Sequence, residues 1–191
     1  RDARHHRLQR IDRAMQGYVN RQQLAGVITV LMRRGQVAHF GMCGQMDIAA
    51  GTPMREDALF RIFSMTKPIT SLAILMLYEE GAFHLQYPVG MILPAFNDLK
   101  VLVKQTDSGP ELAPLERPIT IHDLLTHLSG LGYGLDDSTP VNALYRQAQM
   151  LRPDETLAEK MERIVKVPLQ HQPGKCYSYS ISTDVLGRII E

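Results

Sequence analysis

The stretch Ser64-Met65-Thr66-Lys67 stands at the head of a long apolar run and constrains this chain more than any other. Residues 71–80 continue it as a helix that stops at Gly81. Side chains three apart on a helix share a face, so the Ser64 hydroxyl and the Lys67 ammonium point the same way. Pro68 fits only a first turn, where its missing N–H costs nothing. Ser64 is therefore expected at the helix N-terminus, where free N–H groups and the dipole favour developing negative charge. A serine hydroxyl is a poor nucleophile until something takes its proton. An amine one turn away can take it if burial or a nearby cation lowers its pKa. The same residues would also suit a helix cap beside a solvated lysine. The flanks weigh against that: Ile69, Leu72, Ala73, Met76 and Leu77 recur at helical spacing, which predicts a helix buried on one side or all round.

The chain has 191 residues, enough for a sizeable core, and no run long enough to span a bilayer. Its net charge of +1, with no dense basic block, argues against nucleic acid. His5 and His6 belong to a basic first segment, and solvation explains them better than metal binding. Cys43 and Cys176 have no metal-like spacing and read as free thiols in a reducing compartment, with a disulfide left open. This favours the cytoplasm and leaves the periplasm or secretion open.

Along the chain, Leu8, Ile11, Met15 and Val19 predict an amphipathic surface helix ending near Leu24. Residues 27–32 and 37–42 form a hairpin signal around Arg33-Arg34-Gly35-Gln36. Gly41, Gly44 and Gly51 break the next segment, and Thr52-Pro53-Met54 begins a connection to the serine. Leu85, Pro88, Val89, Ile92, Leu93 and Pro94 read as an irregular apolar segment, and residues 105–118 as an exposed loop. Thr120 and Asp123 resemble a capping box opening a short helix that ends at Ser129-Gly130. Gly132, Gly134 and Asp136-Asp137 read as loop. Residues 141–151 and 155–167 are helical patterns, the second with Leu157, Met161, Ile164 and Val165 on one face. After a turn at Pro173-Gly174, Tyr177 to Ser180 reads as extended, and Thr183 and Asp184 open an apolar run that stops in mid-helix at Glu191, as in a fragment.

Three stretches carry a family resemblance. The segment 57–81 around Phe63-Ser64-Met65-Thr66-Lys67-Pro68, the segment 119–131 with Leu124-Leu125-Thr126-His127-Leu128-Ser129-Gly130, and the segment 172–191 with Pro173-Gly174, Tyr179-Ser180 and Asp184-Val185-Leu186-Gly187 resemble, in order and spacing, the class C β-lactamase-like serine hydrolases, its esterases above all. The resemblance implies an α/β (α+β) fold of the β-lactamase/transpeptidase type, with an antiparallel sheet flanked by helices, a helical subdomain, and a C-terminal truncation. The chain then divides into 1–84 (first helix, hairpin and nucleophile helix), 85–168 (helical subdomain) and 169–191 (tyrosine segment and returning helix), with the site between sheet and subdomain.

Residue by residue, the resemblance makes Ser64 the nucleophile, Lys67 its proton-network partner, and Tyr179 the general base for acylation and acid for the leaving group. Tyr177 is the rival tyrosine. The Ser64 backbone N–H would be one oxyanion-hole donor, and the second lies on a strand beyond residue 191. Ile181 stands where lactam- and peptide-cleaving members carry Asn, whose amide can hydrogen-bond a substrate carbonyl as Ile cannot. Ile181 and Tyr133 are candidate substrate contacts. The expected activity is hydrolysis of short-chain carboxylic esters through an acyl-enzyme, with no metal or organic cofactor, a small-molecule ester as substrate, and a need for the missing C-terminal half. The alternatives are β-lactamase or D-alanyl-D-alanine carboxypeptidase chemistry with the same residues, and a non-catalytic binding or assembly relative. His127 is read as structural and Ser129 as a turn residue. His84, His122 and His171 lack metal-ligand spacing.

Overall fold

The structure, a computed structural model, describes residues 2–135, 139–150 and 152–191, with side chains from residue 7 onward. The side chains of His5 and His6, the Asp136-Asp137 loop and Leu151 lie outside the described residues. The chain forms two compact units, residues 1–61 and 62–191.

In the first unit, helix α1 (Asp2–Asn20) half-buries Leu8, Ile11, Met15 and Val19, as their spacing predicts. It ends four residues before Leu24, where Gln22 takes a left-handed φ of 56°. Strands β1 (Gly26–Arg33) and β2 (Gln36–Asp47) pair antiparallel, Val27 opposite Cys43 and Val30 opposite Phe40, and α1 packs on them. Arg34 and Gly35 join the strands with φ of 51° and 74°. Two positive φ values in a two-residue loop give a turn whose twist suits the strands. A short strand β3 (Thr52–Pro53) extends β2 in what reads from sequence as a plain connection.

The second unit holds every fully buried apolar side chain of the described residues, among them Ile74, Ile121, Leu124, Leu131, Val141, Ile164, Leu169, Val185 and Leu186. Its helices are α2 (Thr66–Glu79), α3 (Ile121–Leu125), α4 (Pro140–Gln147), α5 (Leu157–Ile164) and α6 (Ser182–Ile190). Helices α2, α3 and α5 all pack against α6. The Thr120 capping box is present: its side chain accepts the Asp123 N–H, and the Asp123 carboxylate accepts the Thr120 N–H at 2.9 Å. Residues 85–98 are irregular, with two short 3₁₀ turns.

Two expectations are corrected. Residues 105–118 are largely a hairpin, β4 (Lys100–Thr106) and β5 (Gly109–Pro114), closed by Thr106 Oγ1 donating to the Gly109 carbonyl at 2.7 Å. Pro110 and Pro114 hide it in the sequence, but a two-stranded edge tolerates proline. Helix α2 is less buried than its composition predicts: only Ile74 is fully buried, while Ile69, Leu72 and Met76 are exposed. A helix apolar all round leaves its buried face to tertiary packing. The chain is thus α/β, with antiparallel strands flanked by helices.

Candidate active site

Ser64 lies in a 3₁₀ turn, Phe63–Met65, that runs directly into α2. Phe63 enters the turn with φ of 45°, a left-handed conformation that strains an L side chain and redirects the chain just before the serine. Backbone N–H groups at such an entry lack intrahelical acceptors, so the Ser64 N–H is in the right class of position for an oxyanion donor. Lys67 follows in the first turn of α2, and Pro68 sits beside it, where it removes no helical hydrogen bond.

Tyr179 is delivered from the far end of the chain. Its segment is zipped to residues 127–132 by backbone hydrogen bonds: Gln170 N–H to Gly130 O at 2.7 Å, Gly174 N–H to Leu128 O at 2.8 Å, Ser178 N–H to His127 O at 2.9 Å, and Ile181 N–H to Gly132 O at 3.1 Å. Gly130 permits this approach, with φ of 80° and a position where a Cβ would lie 2.0 Å from the His171 carbonyl oxygen. The result is a 2.8 Å hydrogen bond from the Tyr179 hydroxyl to Ser64 Oγ. Tyr177 is 65% exposed and touches His127 edge-on at 6.0 Å between ring centres; the contact to Ser64 belongs to Tyr179. Tyr133 stacks parallel to Tyr179, centroids 5.5 Å apart, and its hydroxyl accepts from Lys67 Nζ at 3.5 Å. The Lys67 ammonium lies 4.8 Å from the Tyr179 ring centre.

These contacts set the protonation pattern. Partial burial pulls the Lys67 pKa down, yet hydrogen bonds and charge interactions with Tyr179 and Tyr133 outweigh it, and the net direction is up. The condition under which Lys67 could itself take the serine proton, a lowered pKa, is therefore not met, because its hydrogen-bonding neighbours are phenols. The Tyr179 phenol moves down, through its hydrogen bond to Ser64 and then through Lys67. A lowered phenol beside a firmly protonated lysine can accept the serine proton; the lysine holds the charge.

Ser64, Lys67, Thr70, Tyr133, Lys160 and Asp184 line one cavity of about 440 Å³. All belong to the second unit. A second cavity, of about 490 Å³, lies between α1 and β2 in the first unit and contains none of these groups. Ile181, expected as a substrate contact, does not line the Ser64 cavity; it is fully buried in the core at the start of α6. His127 touches Tyr179 rather than Ser64, and Ser129 is buried and bonded to Ser182 Oγ at 2.8 Å. Cys43 and Cys176 are both free. Among the described residues no group of three His, Cys, Asp or Glu is placed to hold a metal ion.

The sequence reading named neither Lys160 nor Asp184 as a site residue; they pair at 3.4 Å across α5 and α6, with Lys160 nearly buried. A signal existed: Lys160 falls among Leu157, Met161 and Ile164 on the apolar face of α5, where a charge needs a partner.

The chain resembles several known proteins. Protein Rv1367c of Mycobacterium tuberculosis (strain ATCC 25618 / H37Rv) is 40% identical over 170 residues, covering 87% of this chain and 41% of that protein. Esterase EstB of Burkholderia gladioli is 37% identical over 188 residues, covering 95% of this chain and 44% of its own length. Among solved structures, EstCE1, a hydrolase with promiscuous acyltransferase activity, superposes with a TM-score of 0.78 at 27% identity, covering 95% of this chain and 45% of that one. Unliganded simvastatin synthase (LovD) from Aspergillus terreus gives 0.77 at 26%, covering 96% and 48%. The chain therefore spans less than half the length of these relatives. The family profile described as Beta-lactamase matches residues 11–191, a span holding Ser64, Lys67 and Tyr179 alike, and the chain belongs to that family.

Proposed function

We propose that the full-length protein containing this chain is a serine hydrolase that cleaves short-chain carboxylic esters through an acyl-enzyme on Ser64. The 2.8 Å contact between the Tyr179 hydroxyl and Ser64 Oγ, beside Lys67, carries this reading. Tyr179, as phenolate, takes the Ser64 proton while Oγ attacks the ester carbonyl carbon. The carbonyl oxygen becomes an oxyanion facing the Ser64 N–H. Collapse breaks the bond to the alcohol oxygen, which receives the proton from Tyr179. Water, deprotonated in turn by Tyr179, then attacks the acyl carbonyl carbon, and collapse breaks its bond to Ser64 Oγ, which takes that proton back from Tyr179. The second oxyanion donor is assigned to the part of the protein beyond residue 191. The name of the Burkholderia relative, an esterase, points the same way.

The test is intact mass of the full-length protein after exposure to a reactive phosphonate ester, beside a Ser64→Ala variant, with ester turnover measured on both. A single adduct and turnover, both lost in the variant, are expected. Ester turnover that survives Ser64→Ala overturns the reading. Rapid turnover of a chromogenic cephalosporin in preference to esters would replace it with lactamase chemistry.

A further inference from the structure

The helix α3 exit and the tyrosine segment share a group of polar side chains that the proposed chemistry leaves unused. His127 sits at its edge with a left-handed φ of 56°. Its Nδ1 lies 3.2 Å from the Ser180 backbone N–H and 3.2 Å from Ser180 Oγ. From there a chain of buried hydroxyls continues, Ser180 Oγ to Ser182 Oγ at 2.7 Å and Ser182 Oγ to Ser129 Oγ at 2.8 Å. An amide N–H can only donate, so Nδ1 must be the acceptor, which puts the ring proton on Nε2 and makes the imidazole neutral. The ring also rests against Tyr179, centroids 4.9 Å apart. The residues on both sides of Tyr179 are therefore held by His127: Ser178 through its carbonyl and Ser180 through its ring.

We propose that His127 is the positioning residue for Tyr179: its Nδ1 captures the Ser180 N–H and its ring braces the phenol, so that the hydroxyl is held on Ser64. This rests on the reading of Tyr179 as the base. Two observations separate the role from plain packing. An apolar side chain of similar size would fill the space but leave the Ser180 N–H without its acceptor. The neutral ring is also the form its surroundings favour, since burial and the Lys67 charge both lower its pKa. The charged and titratable groups against it are Lys67 on α2 and the phenols of Tyr177 and Tyr179.

The test uses the full-length protein with His127→Leu, His127→Asn, Tyr179→Phe and the Leu/Phe double variant. His127→Leu removes the acceptor and is expected to lower kcat by about 100-fold with KM nearly unchanged, the usual scale for a misplaced reacting group. His127→Asn offers a carbonyl oxygen near the Nδ1 position and tolerates the left-handed backbone; it should recover most of that loss. In the Tyr179→Phe background the Leu substitution should cost nothing further, because it acts through the phenol. Two results overturn the proposal: a His127→Leu enzyme with normal kcat, or an equal loss with and without Tyr179. Tyr179→Phe retaining full activity would instead defeat the reading of Tyr179. Should the Leu variant fail to fold, the ¹⁵N spectrum of the wild-type His127 ring decides: an unprotonated Nδ1 supports the proposal and a protonated one overturns it.

Discussion

The Tyr179 hydroxyl donates a 2.8 Å hydrogen bond to Ser64 Oγ across 115 positions of chain. Neither residue is deeply buried, so neither is held there by the core itself. The 3₁₀ turn before α2 presents the serine, and the zipper between residues 127–132 and 170–181 presents the tyrosine. Tyr179→Phe keeps the ring and its stacking on Tyr133 while removing the proton carrier. Ester turnover by the full-length protein should fall by about 100- to 10,000-fold in kcat with little change in KM. Steady-state kinetics check it, and an unchanged kcat would remove Tyr179 from the chemistry.

A pH profile reads the Lys67–Tyr179 pair. A free phenol titrates near ~10, and Tyr179 is shifted below that. Its active form as a base is the phenolate, so kcat/KM should rise with pH through the lowered value and level off above it. Lys67→Met removes the ammonium that favours the phenolate, and the rising limb should move to higher pH. A limb that stays in place would assign it to another group.

Gly130 tests the zipper. Its φ of 80° and the 2.0 Å approach to the His171 carbonyl both oppose a side chain. Gly81, with φ of 77° but open space around it, opposes only the conformation. Each alanine substitution should cost about 1–3 kcal/mol in backbone strain. Gly130→Ala should cost clearly more than Gly81→Ala, since backbone must also move. Chemical denaturation compares them, and equal losses would mean that the approach at Gly130 is slack.

Asp123 couples the site's supporting turn to pH. Burial raises the pKa of this carboxyl, but Arg117, bonded bidentately at 2.6 and 2.9 Å, and Thr120 outweigh that, and the net direction is down. A depressed folded-state pKa contributes stability that is present above the unfolded value, near ~3.9, and is lost as pH falls through the folded value. Asp123→Asn should destabilise the protein by about 1–3 kcal/mol at neutral pH and flatten the acid limb of its stability curve. Thermal melts between neutral and acid pH measure both effects; an acid limb as steep as that of the wild type would place the proton uptake elsewhere.

The residues themselves show how far the sequence reaches. Ser64 and Lys67 are legible together because a helix brings residues three apart onto one face, whatever lies around them. The Thr120 capping box and the Arg34-Gly35 turn are local in the same sense: the atoms that bond are a few residues apart, so the pattern is written in adjacent letters. Tyr179 can be named through the family resemblance, but its meeting with Ser64 cannot be derived from spacing.

Tertiary structure decided the rest. It chose which side of the uniformly apolar α2 is buried, drew Ile181 into the core, and paired β4 with β5 despite two prolines. It also set Lys67 beside two phenols, which turned its pKa up where a cationic neighbour would have turned it down. His127, read as a structural histidine, came to rest against Tyr179 through contacts reaching 53 residues along the chain. Burial, protonation and distant contacts depend on what packs around a group, and that is a property of the folded whole. The helical period, the caps and the turns depend only on near neighbours, and those the sequence by itself determines.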